Sequence, residues 1–298
     1  MQPEPTVTSG QAALRRPAPS SRAGPRAARV VRQSATGLLW WLISVGLAVV
    51  IWEAVAALGW INTFILPPPH EIVGVLNDET AFVAPQAAAE VKPGTTAIAE
   101  AVLATVQRVL AGIALAFVLS LSIGSLAFYF RIFGKLTIPT IALLSPVAPI
   151  AWVPLAIVAF GIGDRAAVAV VFLGLFFILT LAVVNTMKGV DQVYINTARV
   201  LGATRFQLLR EVILPAILPS MFVIIRVNFF AAWMAVLAAE AVGVGTGLGM
   251  IIWAGRQMLN MKLTFFGMAL IGLVGFLIDQ LFVLIQKRVL WWRTAAEL

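Results

Sequence analysis

The sequence predicts an all-α integral membrane protein with six transmembrane helices. Three observations predict it. Hydrophobic residues fill 61% of the 298 positions and charged residues 11%, with a mean hydropathy of +0.98. A soluble domain carries roughly 25% charged residues, so this chain cannot cover itself with polar surface. Second, six mostly apolar stretches are long enough to cross a bilayer, which takes about 20 residues per helix. They are apolar all round, whereas the strands of a membrane barrel alternate. Third, 15 of the 21 Lys and Arg residues fall on one side of the resulting topology and four on the other. The positive-inside rule then puts both termini in the cytoplasm.

Composition also excludes classes. The chain has no Cys and a single His, so cysteine chemistry, a disulfide scaffold and a multi-His metal site are out. The net charge of +8 is read as membrane orientation and not as a nucleic-acid footprint.

Residues 1–36 hold five Pro and six Arg with no apolar periodicity. They are expected to form a disordered basic cytoplasmic tail able to lie on anionic lipid. The membrane domain then covers residues 37–298. A secretory signal is the rival reading, but span 1 (38–58) is too long and no small-residue cleavage pattern follows it. In the external segment 61–98, Leu66-Pro67-Pro68-Pro69-His70 is expected to be extended, because Pro restricts the residue before it. His70 is read as solvated or interfacial, with a ligand or proton-relay role as the alternative. Span 2 (99–130) carries Arg108 near its outer end, expected to snorkel to the interface. Span 3 (138–160) carries Pro139, Pro146, Pro149 and Pro154. Interior Pro removes helix hydrogen bonds. The span is either kinked for packing or broken to line a pathway, with Ser145 and Trp152 available to it.

Span 4 (166–187) leads into the longest cytoplasmic loop, residues 188–215. Asp191 can cap a short helix, and Gly202 suits a left-handed helix end. Thr204 and Gln207 fit a capping box, and Pro215 suits the first turn of span 5. The loop is therefore a helix–Gly turn–helix, either resting on lipid headgroups or docking a cytoplasmic partner. Span 5 (216–242) sets Arg226, Trp233 and Glu240 on one stripe at intervals of seven. A charge near the bilayer centre costs at least about 2.5–3.5 kcal/mol, so the stripe should face protein or a wet cavity. Counting about 1.5 Å per residue, Arg226 lies within about 3 Å of the depth of Asp279 in span 6 (263–285). A structural Arg226–Asp279 pair and a direct anion contact by Arg226 are both open. Between the last two spans, Gly243 to Gly249 has the wrong spacing for a dinucleotide fingerprint and reads as a flexible external turn. No catalytic constellation and no Walker A loop is visible, so any ATP must be hydrolysed on another chain.

The loop resembles the "EAA" loop of permease subunits in bacterial binding-protein-dependent ABC importers. Asn196-Thr197-Ala198, Gly202, Val212, Leu214 and Pro215 fall in that motif's register, with Asn196 in place of its Glu, Thr197 in place of its first Ala and Val212 in place of its Ile. Leu66-Pro67-Pro68-Pro69, Arg108 to Gly112, Pro149 to Leu155, Ala239-Glu240 and Gly247-Leu248-Gly249 resemble the nitrate/sulfonate/taurine/bicarbonate branch. The resemblance covers residues 60–293 and implies a type I ABC importer permease fold in a bacterial inner membrane. Asn196, Thr197, Ala198, Gly202, Thr204, Phe206, Leu214 and Pro215 would form the ATPase-coupling element, with its coupling helix. Ser145, Trp152, Arg226, Trp233 and Glu240 are the pathway candidates. The implied partners are two cytoplasmic ATP-binding subunits, an external substrate-binding protein and a second permease copy, read as a homodimer, with lipid around them and no nucleic acid. No cofactor is expected on this chain. The implied function is import of a small anion (nitrate, bicarbonate or a sulfonate such as taurine) by alternating access. The alternative is a self-sufficient secondary transporter or channel, which would need coupling-ion residues and commonly an internal repeat. A scaffold without transport is a third class. Co-purification of an ATPase separates the first from both.

Overall fold

The computed structural model describes residues 26–59, 62–75 and 94–289. All regular structure among them is helical: α1 (Arg26–Ala57), α2 (Pro69–Gly74), α3 (Gly94–Tyr129), α4 (Arg131–Leu144), α5 (Val153–Phe160), α6 (Asp164–Lys188), α7 (Gln192–Val200), α8 (Arg205–Gln207), α9 (Leu214–Gly243), α10 (Leu248–Gln257) and α11 (Met261–Val289). Among the described residues, four helices are long and apolar enough to cross a membrane, or five if the bent pair of α4 and α5 counts as one span. Against the six expected, the first span enters only as the apolar helix Ile43–Ala57 among the described residues. Residues 26–36, expected in a disordered tail, are helical; residues 1–25 lie outside the described part.

The chain divides into two compact units, Met1–Val55 and Ala56–Leu298. In the second, α6 is the central helix, apolar on every side. Val170, Val171, Leu179 and Val183 are fully buried on it, as expected of a helix with neighbours all round. Its closest partner is α3, which presents Gly112, Ala116, Ser120 and Gly124 at four-residue spacing. Residues four apart share a helix face. A Cβ at Gly112 would fall 2.5 Å from Val171 Cγ1, and one at Gly124 would fall 2.6 Å from Val183 Cγ1. Lipid tails are as apolar as Leu, so helices in a bilayer associate through such close packing and interhelical hydrogen bonds. One runs along this seam: Ser120 Oγ donates to the Phe176 carbonyl at 3.0 Å. On another side of α6, α9 supplies Met221, Phe229 and Val236 to the same core.

Span 3 is broken. α4 and the segment Pro149–Phe160 meet at 103°. Pro149 drives Ala148 into an extended conformation (φ −59°, ψ 139°), the restriction placed on any residue before proline. Of the two readings open for span 3, the break is the one observed. The Leu66–His70 expectation needs correction too. Pro68 is extended (φ −65°, ψ 145°), but α2 starts at Pro69, since proline fits the first helical position. Glu71 of α2 pairs with Lys262 of α11 at 2.8 Å, and that ammonium holds the Glu71 carboxyl below the usual carboxylate range.

Candidate functional site

Residues 188–215 build a compact knuckle. Gly189 ends α6, and the Asp191 carboxylate accepts from Val193 N at 2.9 Å to start α7. α7 stops in a Schellman motif. Gly202 takes φ +82°, Ala203 N donates to the Ala198 carbonyl at 3.0 Å, and Gly202 N donates to the Arg199 carbonyl at 3.0 Å. Such an end satisfies the last carbonyls of a helix and favours glycine. Thr204 then caps α8 in a complete capping box, with Thr204 N donating to Gln207 Oε1 at 2.8 Å. A π-helical turn over Leu208–Ile213 carries the chain into α9, a feature the residue pattern did not reveal.

Ile195, Leu208 and Ile213 anchor the knuckle in the core. Its outer surface is apolar and uncovered: Val200 is 88% and Leu201 81% exposed, with Phe206 beside them in the exposed class. Asn196, Thr197, Gly202 and Thr204 are also exposed, Ala198 and Leu214 half-buried, and Pro215 exposed in the first turn of α9. An uncovered apolar patch at the tip of a fully capped turn makes this loop a candidate interaction surface.

The intramembrane candidates lie in different surroundings. Ser145 lies half-buried at the break after α4. Trp152 stacks on Phe177 of α6 with ring centroids 5.6 Å apart. Trp233 is buried against Phe229, centroids 5.9 Å apart, and fills core. Arg226 donates from Nε to Asp279 Oδ1 at 2.9 Å and from Nη2 to Oδ2 at 3.0 Å, a bidentate pair.

Glu240 is 0% exposed and lies in a charge network. Arg108 is 4% exposed; instead of snorkelling, it reaches inward. Its Nη1 donates to Glu240 Oε1 at 2.7 Å and to the Thr246 carbonyl at 2.8 Å. Its Nη2 donates to Thr246 Oγ1 at 2.7 Å and to Asp164 Oδ1 at 2.5 Å. Thr105 Oγ1 donates to Glu240 at 2.8 Å, and Gly249 N donates to Glu240 Oε2 at 2.9 Å. Four elements are thereby tied together: α3, the start of α6, α9 and the start of α10. The turn after α9 is not flexible but pinned, with Leu248 N donating to Thr105 Oγ1 at 2.9 Å. A carboxylate can be carried this deep only because its acceptor sites are filled by charged and backbone donors.

The sequence model described as the inner membrane component of binding-protein-dependent transport systems matches residues 103–291. A Methanocaldococcus jannaschii protein whose name gives it as an ABC transporter permease is 32% identical over 83% of this chain and 89% of its own. The taurine transport system permease protein TauC of Escherichia coli is 28% identical over 81% of this chain and 85% of its own. The bicarbonate transport system permease protein CmpB of Synechococcus elongatus is 34% identical over 63% and 68%. Among solved structures, a chain of the inward-facing MetNI methionine ABC transporter superposes with a TM-score of 0.56 at 21% identity, covering 66% of this chain and 98% of that one. That likeness concerns the fold.

Proposed function

The chain belongs to the family of inner membrane components of binding-protein-dependent transport systems, and from that premise we propose that it forms the membrane pathway for a small anion. It is a multi-pass permease subunit of an ABC importer, not the ATPase. The anion is nitrate, bicarbonate or a sulfonate such as taurine. Two relatives support this reading, one named for bicarbonate and one for taurine. The subunit works as one of two copies, fed by an external binding protein and driven by two cytoplasmic ATP-binding subunits.

The observation that carries the coupling to an ATPase is the exposed Val200–Leu201–Phe206 knuckle. Asn196, Thr197, Ala198, Gly202 and Thr204 shape it, and Leu214-Pro215 leads from it into α9. It docks in the ATPase, so that nucleotide-driven closure is transmitted through the π-helical turn into α9. The test is the ATPase rate of the reconstituted complex with binding protein. Nitrate, bicarbonate or a sulfonate should stimulate it. Stimulation by a neutral sugar or a cation alone would overturn the anion reading.

The topology proposed has six spans (α1, α3, the broken α4–α5, α6, α9 and α11) with both ends in the cytoplasm. The chain has no cysteine of its own, so single introduced thiols report cleanly. A thiol in segment 85–95 should react with an impermeant reagent from outside, and one near residue 20 should not. The reverse pattern would invert the assignment.

Arg226 and Asp279 act as a structural pair in this proposal. Arg226→Ala and Asp279→Ala should each lower the yield of folded permease, and the double variant should recover much of it. Arg226 keeps 40% of its side chain exposed, but within a span that exposure meets lipid or the pathway and not bulk water, so either single variant strands an uncompensated charge there. If Arg226 instead contacts the anion, its variant folds normally, loses transport, and is not rescued by Asp279→Ala.

A further inference from the structure

Where α3 ends against the loop, a groove of about 490 Å³ opens. Phe128, Tyr129, Arg199, Arg205, Leu209 and Ile213 are among its lining residues. Its polar and apolar parts fit different pieces of one ligand. No Asp or Glu lines it, and neither arginine has an ion-pair partner among the described residues. A guanidinium presents a fork of donors matched to phosphate oxygens. The walls from Phe128, Leu209 and Ile213 suit hydrocarbon. Phe128 and Tyr129 are the last two residues of the membrane-spanning α3, so the groove lies at the level where headgroups sit. Tyrosine is enriched at that boundary. Arg131 and Lys135 follow in α4 and add positive charge nearby. The Val200–Leu201–Phe206 knuckle is not part of the lining, so the groove and the docking patch are different faces of one loop.

We propose that this groove binds the headgroup of an anionic phospholipid of the cytoplasmic leaflet. The phosphodiester sits between Arg199 and Arg205, and the glycerol end lies against Phe128 and Leu209. Basic recesses beside membrane helices on the cytoplasmic side favour such lipids. A bound lipid braces α7 and α8 against the end of α3, so the loop that receives the ATPase is held at the membrane surface. The inference rests on the cytoplasmic placement of the loop and is independent of the transported substrate.

The test is native mass spectrometry of the purified full-length chain titrated with phosphatidylglycerol, phosphatidylcholine or inorganic phosphate. Phosphatidylglycerol should bind in preference to phosphatidylcholine, a comparison that needs no variant. The double variant Arg199→Gln/Arg205→Gln should weaken that binding about thirtyfold, from two basic contacts. Arg210→Gln, on the same loop but outside the groove, should leave it unchanged. Inorganic phosphate in excess should not displace the lipid. Equal binding of the two lipids, or undiminished phosphatidylglycerol binding by the double variant, would overturn the proposal. Displacement by phosphate would make the groove a site for the free ion and overturn it equally. A double variant that keeps its lipid but no longer co-purifies with the ATPase would assign the arginines to the partner interface instead.

Discussion

Replacing Arg108 with alanine should leave little folded permease. The side chain holds Glu240, Asp164 and Thr246 at once, and its removal abandons a fully buried carboxylate. Breaking a buried pair from one side typically costs about 3–5 kcal/mol, because the survivor stays in the core without compensation. Folded proteins have only about 5–15 kcal/mol in hand. Glu240→Ala should be comparably damaging, since it strands the Arg108 guanidinium and the Gly249 amide together. The double variant Arg108→Ala/Glu240→Ala should melt higher than either single one. Asp164→Asn should matter far less, since the Asp164 side chain is 75% exposed and the water around it screens the lost charge. Thermal unfolding of the detergent-solubilised variants checks all four. A wild-type melting curve for Arg108→Ala would remove the network from the account of stability.

That network also marks where reading the chain by residue types runs out. The local chemistry of the loop is legible from neighbours in sequence. Asp191, Gly202 and the Thr204–Gln207 box each act within about five positions, and helix-end rules suffice to place them. Depth counting sets Arg226 level with Asp279, and the two side chains meet at 2.9 Å. Arg108 and Glu240 are 132 positions apart, and their meeting depends on α3 lying beside α9, which no local rule supplies. The signal was nonetheless present. Both residues fall toward the same side of the bilayer in their spans, and a buried acid needs a partner at its own depth. Assigning Glu240 to the stripe of Arg226 and Trp233 treats α9 as having one functional face, whereas core packing claims Trp233 and the network claims Glu240. The break in span 3 lay between two readings, because proline kinks and proline breaks share one residue pattern.

Leu201→Glu should abolish coupling while leaving the fold intact. At 81% exposure the substitution touches almost nothing within the subunit, and surface changes of that kind stay within about 0.5 kcal/mol. Seated in an apolar groove of a partner, the new carboxylate would be desolvated without a counter-charge. Central interface residues typically cost about 2 kcal/mol or more when changed, a drop of roughly thirtyfold in ATPase affinity. Gly202→Asp acts on the same point by a second route. It places a Cβ at φ +82°, which is unfavourable for most side chains, and adds a charge at the apex of the turn. Both variants should insert and purify as monodisperse permease and lose transport. Wild-type uptake by Leu201→Glu would contradict a docking role for the knuckle.

The most direct measurement is site-directed crosslinking from two single thiols, Leu201→Cys at the knuckle and Met258→Cys in the turn after α10. Both positions are exposed, and the proposed topology puts them on opposite sides of the membrane. With a short thiol-to-amine crosslinker on the assembled complex, the thiol at position 201 should join the ATP-binding subunit in a nucleotide-sensitive yield. The thiol at position 258 should not reach it. ATP-binding subunit captured from position 258 and not from position 201 would contradict both the docking site and the orientation of the chain.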